Sequence, residues 1–502
     1  MPNPVDPSWT SLLPAAVTVA LAFSTRQVLL ALVAGIATAS VVLFAQTRAP
    51  EDLNFIRRFV LPELGSQGFA PVLLIYLLCL GGILGTWTKT GAALLFARRL
   101  GQRCAGDSRS ALLLAWLLGV IFHQGGTVTT VITATTAKPV ADPQRVSHEE
   151  LAYVVDSTTT PAATLIPLNV WPVAIGAMLA GTIAQIPSTD AGMSWFLSSI
   201  PFNFYAIFAL CFTLLFAFGM LPFVGRAMRA AIARARTTGA LDGPDASPVL
   251  GVDVEPSVGT PGYEPTAGEF WVPVLVLASV TGAPFLLSAL VRSGAIAVGG
   301  AAGAMLEAVG SGQWMFEGFS LALLAAVGIP LARGLPLSDA LDGVVAGCRS
   351  MTSGALLLAL ALVLAAVSRE LRGAAYLAQL VGDAVPLVAL PALLMFACSA
   401  LAFASGTWWG TYAVALPVAI PLAYQLHPDP GFLHICFGAV IGGAIYGDQC
   451  SPISDSTILA AMFSGADVMD HVRTQIPLAT AAALLAGLSS TAAAALSLAL
   501  AQ

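Results

Sequence analysis

Apolar residues run along this chain in blocks of about twenty, the length a helix needs to cross a bilayer. Polar residues fall mostly between the blocks. The apolar windows centre on 11–24, 28–46, 70–88, 111–135, 151–168, 170–187, 203–224, 271–291, 314–332, 352–368, 384–404, 408–426, 432–447 and 475–500. Several are short or punctuated by Gly and Pro, so the pattern predicts about 10 to 13 transmembrane segments, some broken or re-entrant. Backbone can leave helical pairing at membrane depth only where protein or a wet cavity surrounds it. The expected fold is an all-α polytopic membrane protein.

The longest polar stretch, Arg226–Glu269, divides the chain into an N-terminal transmembrane half (1–225), a linker loop (226–269) and a C-terminal transmembrane half (270–502). Arg226, Arg229, Arg234 and Arg236 beside a span end mark the loop as cytoplasmic. Its continuation, Leu241–Pro265, has the Gly/Pro/acid composition of a flexible linker. Arg98, Arg99, Arg103 and Arg109 make a second cytoplasmic candidate.

The two halves resemble each other. Pro71–Gly101 and Gly354–Asp383 each read as an apolar span, a charged break and a short amphipathic segment. Next comes a Gly-Thr cluster, His123-Gln124-Gly125-Gly126-Thr127 in one half and Ser405-Gly406-Thr407-Trp408-Trp409-Gly410-Thr411 in the other. Last comes an acid-hydroxyl-proline element, Asp156–Pro161 against Asp448–Pro452. Matching interrupted segments in two halves point to a transport site at a repeat interface, so two related repeats, in inverted orientation, are expected.

Composition strengthens the membrane reading: 57% of residues are hydrophobic, 10% are charged and the mean hydropathy is +0.85. Soluble domains carry about 25% charged residues. The net charge of −6 is spread through the loops and implies no nucleic-acid partner. Seven scattered cysteines without CxxC spacing read as small apolar fillers. Met1–Ser8 lacks a basic region, so no cleaved signal peptide is expected.

The most informative stretch is Gly447–Ala461, which sets Asp448 and Asp455 among hydroxyls and a proline. A carboxylate at membrane depth costs at least ~2.5–3.5 kcal/mol, so it is rarely idle. Pro452 has no N–H, and its ring would collide with the carbonyl of Asp448, so a helix should break here. Freed carbonyls, the acids and the hydroxyls of Ser451, Ser454 and Thr457 are oxygen ligands suited to a hard cation such as Na⁺. Asp156, with Ser157 and Thr158, is expected to supply the facing half of the site, with Pro161 again opening backbone beside an acid. Thr407 and Gln124 would line it. A histidine titrates where a proton-coupled carrier works, which makes His123, deep in the fourth span, a candidate proton-carrying group. Asp448, Asp455 and Asp156 are the candidate Na⁺ ligands.

These stretches resemble the NhaC-type sodium/proton antiporter family of the ion-transporter superfamily. Gly447–Ala461 is close to that family's GDxCSPISDTTIL signature. Leu151–Thr158 is similar to its LAYIxDST segment, Ser405–Thr411 to its TGTSWGT element, and Ser24–Leu30 to its N-terminal signature. The resemblance implies a carrier of the cytoplasmic (inner) membrane that exchanges Na⁺ for H⁺ by alternating access. Its partners are the lipid bilayer and the transported Na⁺ and H⁺; no cofactor and no enzymatic activity are expected, and a homodimer stays open. One departure stands out: many members carry paired aspartates where this chain has Phe122-His123-Gln124-Gly125. The family also includes exchangers of small organic acids, so an ion-coupled exchanger of a small organic acid or amine on the same fold remains the alternative.

Overall fold

The computed structural model describes residues 7–25, 28–65, 74–96, 99, 106–123, 127–169, 171–248, 259–282, 313–373, 375–376, 379 and 385–500. Among them it is helical, with no strand. The longer helices in chain order are α1 (Leu13–Thr25), α2 (Val28–Thr47), α3 (Gly81–Thr90), α4 (Ser108–Ile121), α5 (Thr127–Ala141) and α6 (His148–Leu165). Then follow α7 (Trp171–Leu179), α8 (Thr189–Ser199), α9 (Phe204–Ala217), α10 (Arg226–Thr238), α11 (Ala267–Leu277) and α12 (Gln313–Ala332). The chain continues through α13 (Leu337–Leu371), α14 (Leu390–Ser405), α15 (Trp408–Leu426), α16 (Pro430–Cys450), α17 (Asp455–Ser464) and α18 (Val468–Leu500).

Among the described residues, four helical stretches are long and apolar enough to cross a membrane alone: Leu29–Thr47, Leu387–Ser405, Pro430–Cys450 and Val468–Leu500. A fifth forms if Thr189–Phe202 and Phe204–Ala217, bent by 50° at their junction, count as one span. Much of the remaining apolar sequence is folded into shorter helices meeting at breaks, which a hydropathy window merges into single spans. The central span is α16: 78% of it is enclosed by protein, against 28–44% for the other three.

The sequence of α16 explains its position. Asp429 caps its start through the N–H of Phe432 at 2.9 Å, and Pro430 occupies the first turn, where its missing N–H is harmless. A stripe of glycines then removes side chains from the contact face. A Cβ on Gly443 would fall on the carbonyl of Met395, and one on Gly447 on the carbonyl of Ser399, both on α14. Only glycine lets these two backbones lie so close.

α4 ends at Ile121 and α6 at Leu165, and breaks separate α14 from α15 at Gly406-Thr407 and α16 from α17 at Ser451 to Ser454. The break expected at Pro452 is present. The disturbance expected at Pro161 is not: α6 runs through it to Leu165. A proline deletes one helical bond, and neighbouring hydroxyls and packing in a buried helix absorb that loss. Asp156 therefore sits in the middle of a helix, whereas Asp448 lies in the last turn of one, and the two acids do not occupy equivalent breaks.

The segment after Arg226 also differs from a plain linker. Arg226–Thr238 forms α10, whose Met228, Ala231 and Ala235 recur every three to four residues and are buried. Alanine and arginine favour helix, and this apolar stripe gives the helix a docking face. Arg234 pairs with Glu149 (2.8 Å) and Arg236 with Glu150 (2.9 Å) at the start of α6. Between them, His148 contacts Asp242 at 2.7 Å through Nδ1, and its Nε2 lies 3.4 Å from Asp142 and 2.8 Å from Lys138.

Burial and the Lys138 ammonium pull the His148 imidazole down, but Asp142 and Asp242 outweigh them and push it up to about 9. A pKa raised above the unfolded value stabilises the fold below about pH 6.5, and that contribution disappears as pH rises through about 9. Thermal unfolding checks this: wild type should lose more stability than His148→Gln between about pH 7 and pH 10.

Candidate ion-binding site

Asp156 and Asp448 are both fully buried. They come together where α6, α16, α17 and the first turns of α18 meet. Asp156 Oδ2 accepts from Gln475 Nε2 at 2.8 Å, Thr457 Oγ1 at 3.1 Å and His471 Nε2 at 3.3 Å. Asp448 Oδ2 accepts from Ser456 Oγ at 2.8 Å, and Ser456 in turn lies 3.0 Å from Ser454 Oγ. The other carboxylate oxygen of each acid, Oδ1, has no hydrogen-bond partner among the described residues. Neither acid is paired with a lysine or arginine among those residues.

The broken backbone between α16 and α17 is satisfied by side chains. The Gln449 carbonyl accepts from Gln475 Nε2 at 2.5 Å and faces Thr457 Oγ1 at 3.3 Å. The Asp448 carbonyl meets the Ser451 N–H at 2.9 Å. Gln449 crosses to the other half, donating to the Asp156 carbonyl at 2.9 Å and accepting from Tyr205 at 2.5 Å. Ser157 Oγ donates to Gln475 Oε1 at 3.3 Å. The acids are thus wrapped in hydroxyl, amide and backbone groups drawn from both halves of the chain.

The remaining sequence candidates are placed as follows. Asp455 is the first residue of α17; it is exposed, and its Oδ1 accepts the Ser456 N–H at 2.8 Å. Ser451 turns away, donating to the Phe403 carbonyl of α14 at 2.7 Å. Thr158 faces α9, donating to Thr213 at 3.2 Å. Thr407 caps α15 by accepting the Gly410 N–H at 3.3 Å. Beside it, Gly406 has φ +65°, and a Cβ there would sit 2.6 Å from the Ile453 carbonyl, so the α14/α15 and α16/α17 breaks touch through a glycine.

His123 is buried elsewhere: Nδ1 lies 3.1 Å from the carbonyls of Val120 and Ile121, and the ring lines an apolar cavity of about 30 Å³ with Trp87, Phe122 and Phe270. Gln124 lies outside the described residues. No three His, Cys, Asp or Glu side chains among the described residues are grouped to hold a metal ion. A cation at the acid cluster would therefore use neutral oxygens beside the carboxylates.

Sequence reasoning missed His471, Gln475, Gln449 and Tyr205. A signal for the first two was present: a histidine and a glutamine four residues apart share a helix face.

Two buried acids inside an apolar helical bundle, one of them in the last turn before a helix break, are what the site of a membrane transporter calls for. Comparison with known proteins makes this specific. The sequence model described as the Na⁺/H⁺ antiporter family matches residues 171–491, and the chain belongs to that family; it is a secondary transporter. An uncharacterised protein of Haemophilus influenzae is 28% identical over 484 residues, covering 94% of this chain and 88% of its own. A malate-2H⁺/Na⁺-lactate antiporter of Bacillus subtilis is 37% identical over 94 residues, 19% of each chain. The crystal structure of the Alcanivorax borkumensis YdaH transporter shares the fold, with a TM-score of 0.60 at 14% identity over 97% of this chain and 98% of that one.

Proposed function

We propose that this protein exchanges Na⁺ for H⁺ across the cytoplasmic membrane by alternating access, with Asp448 and Asp156 as the ion-carrying carboxylates. The observation that carries the reading is the pair of fully buried acids, each with one oxygen left without a partner among the described residues. An unneutralised buried carboxylate is penalised by several kcal/mol, and either a cation or a proton relieves that penalty. The two are mutually exclusive at one oxygen, so a single site supports exchange. Each charge moved down 100 mV releases ~2.3 kcal/mol, enough to drive the cycle.

A second reading has its own support: a relative's name couples Na⁺ to lactate and protons to malate. An organic anion calls for a fixed cation in the site, and Lys138 is engaged with Asp142 and His148. Proteoliposomes containing a pH dye separate the two. Na⁺ or Li⁺ alone should move protons, while malate, lactate and amines without Na⁺ should not. Proton movement that requires an organic acid or amine would overturn the Na⁺/H⁺ reading in favour of the second.

A further inference from the structure

We propose that His471 and Gln475 of α18 set the cation affinity of the site by holding the Asp156 carboxylate in one orientation; the proposal rests on the ion-exchange reading above. The terminal torsion of an aspartate is soft and roughly two-fold, so an unrestrained carboxylate samples many orientations. Here three donors converge on one oxygen. Gln475, Thr457 and His471 all meet Oδ2, which leaves Oδ1 as the oxygen open to a cation.

The orientation is locked by further bonds. Gln475 Nε2 also donates to the Gln449 carbonyl, and its Oε1 accepts from Ser157, so flipping the amide would break all three of its bonds. An ionised carboxylate only accepts, so His471 Nε2 must carry the hydrogen that faces Asp156. His471 and Gln475 are themselves fully buried, which denies them water as an alternative partner. Asp448 is held differently, by the Ser456 hydroxyl with Ser454 behind it. The two acids therefore divide the work: Asp156 offers a fixed oxygen, and Asp448 can follow the ion.

Removing an orienting donor deletes no cation ligand. It lowers the fraction of sites with Oδ1 correctly aimed, and apparent affinity falls by that fraction. Turnover at saturating Na⁺ is spared. Full-length protein in proteoliposomes, assayed for Na⁺-driven proton movement, tests this with His471→Phe, Gln475→Leu and His471→Gln. The first two should raise the Na⁺ KM about tenfold while leaving the maximal rate within about threefold, a split that a purely structural role does not produce. His471→Gln, whose amide N–H can replace the ring N–H, should recover most of the affinity.

A wild-type KM in both His471→Phe and Gln475→Leu overturns the proposal. So does a lost maximal rate at unchanged KM. Should either variant fail to fold, His471→Gln and Gln475→Asn in detergent give the answer through the Na⁺-dependent rise in melting temperature. A weakened response in Gln475→Asn, with His471→Gln close to wild type, supports the proposal; any other pattern overturns it. A wild-type protein that shows no response to Na⁺ overturns the exchange reading first, and is recognised before any variant is compared.

Discussion

Asp448→Asn should abolish Na⁺-driven proton movement while making the protein more resistant to heat. The side chain is the same size, and the Asn oxygen can still accept from Ser456 Oγ, so the local packing survives. What disappears is a buried charge whose transfer out of water costs several kcal/mol. Folding gains from its removal, and transport loses the group that alternates between cation and proton. A fall in exchange rate of roughly a hundredfold corresponds to about 2.7 kcal/mol. Opposite changes in stability and activity distinguish a functional charge from a structural one. Asp455→Asn provides the contrast: Asp455 is exposed at the start of α17, so its loss should act only through the local field and reduce exchange several-fold. Dye-loaded proteoliposomes measure the rates, and thermal unfolding in detergent measures the stabilities.

Gly447→Val should disrupt the molecule rather than the chemistry. The new side chain would meet the backbone of Ser399 on α14, which cannot move aside as a flexible side-chain tip could. Overpacking a tight interface costs about 1–3 kcal/mol, and occasionally more. Pushing α14 from α16 also strains the bond from Ser451 to the Phe403 carbonyl and the contact of Gly406 with Ile453. The expected result is a large fall in monodisperse protein recovered from membranes, read by size-exclusion chromatography. Gly328→Ala, where the added Cβ meets nothing within 4 Å, should behave as wild type.

The sequence made some of this architecture legible and concealed the rest for definite reasons. Pro452 announced its helix break because acids, hydroxyls and proline stand together where the apolar run stops. Pro161 suggested a break that does not exist, because a packed membrane helix can tolerate one missing bond. Ser157 and Thr158 looked equivalent as neighbouring hydroxyls, yet adjacent helix positions diverge by about 100°. One reaches Gln475 and the other turns to Thr213. Thr407, expected to line the site, also caps α15, a second task that its place in the Gly-Thr cluster did not announce. His471 and Gln475 were hidden because they stand at the polar entry to the last apolar window, where Asp470, Arg473 and Thr474 make a further polar residue look ordinary. Helical phase would have exposed them.

The central claim is that one buried carboxylate cluster takes Na⁺ and H⁺ in alternation. Equilibrium binding of radiolabelled Na⁺ to purified wild-type and Asp448→Asn protein across a range of pH tests it most directly. Cation ligands must be deprotonated, so wild-type affinity should fall as pH is lowered, by up to about tenfold per pH unit for one competing proton. Asp448→Asn should bind no Na⁺ at any pH. Affinity that ignores pH in the wild type, or an Asp448→Asn protein that binds Na⁺ as tightly as wild type, would contradict the account.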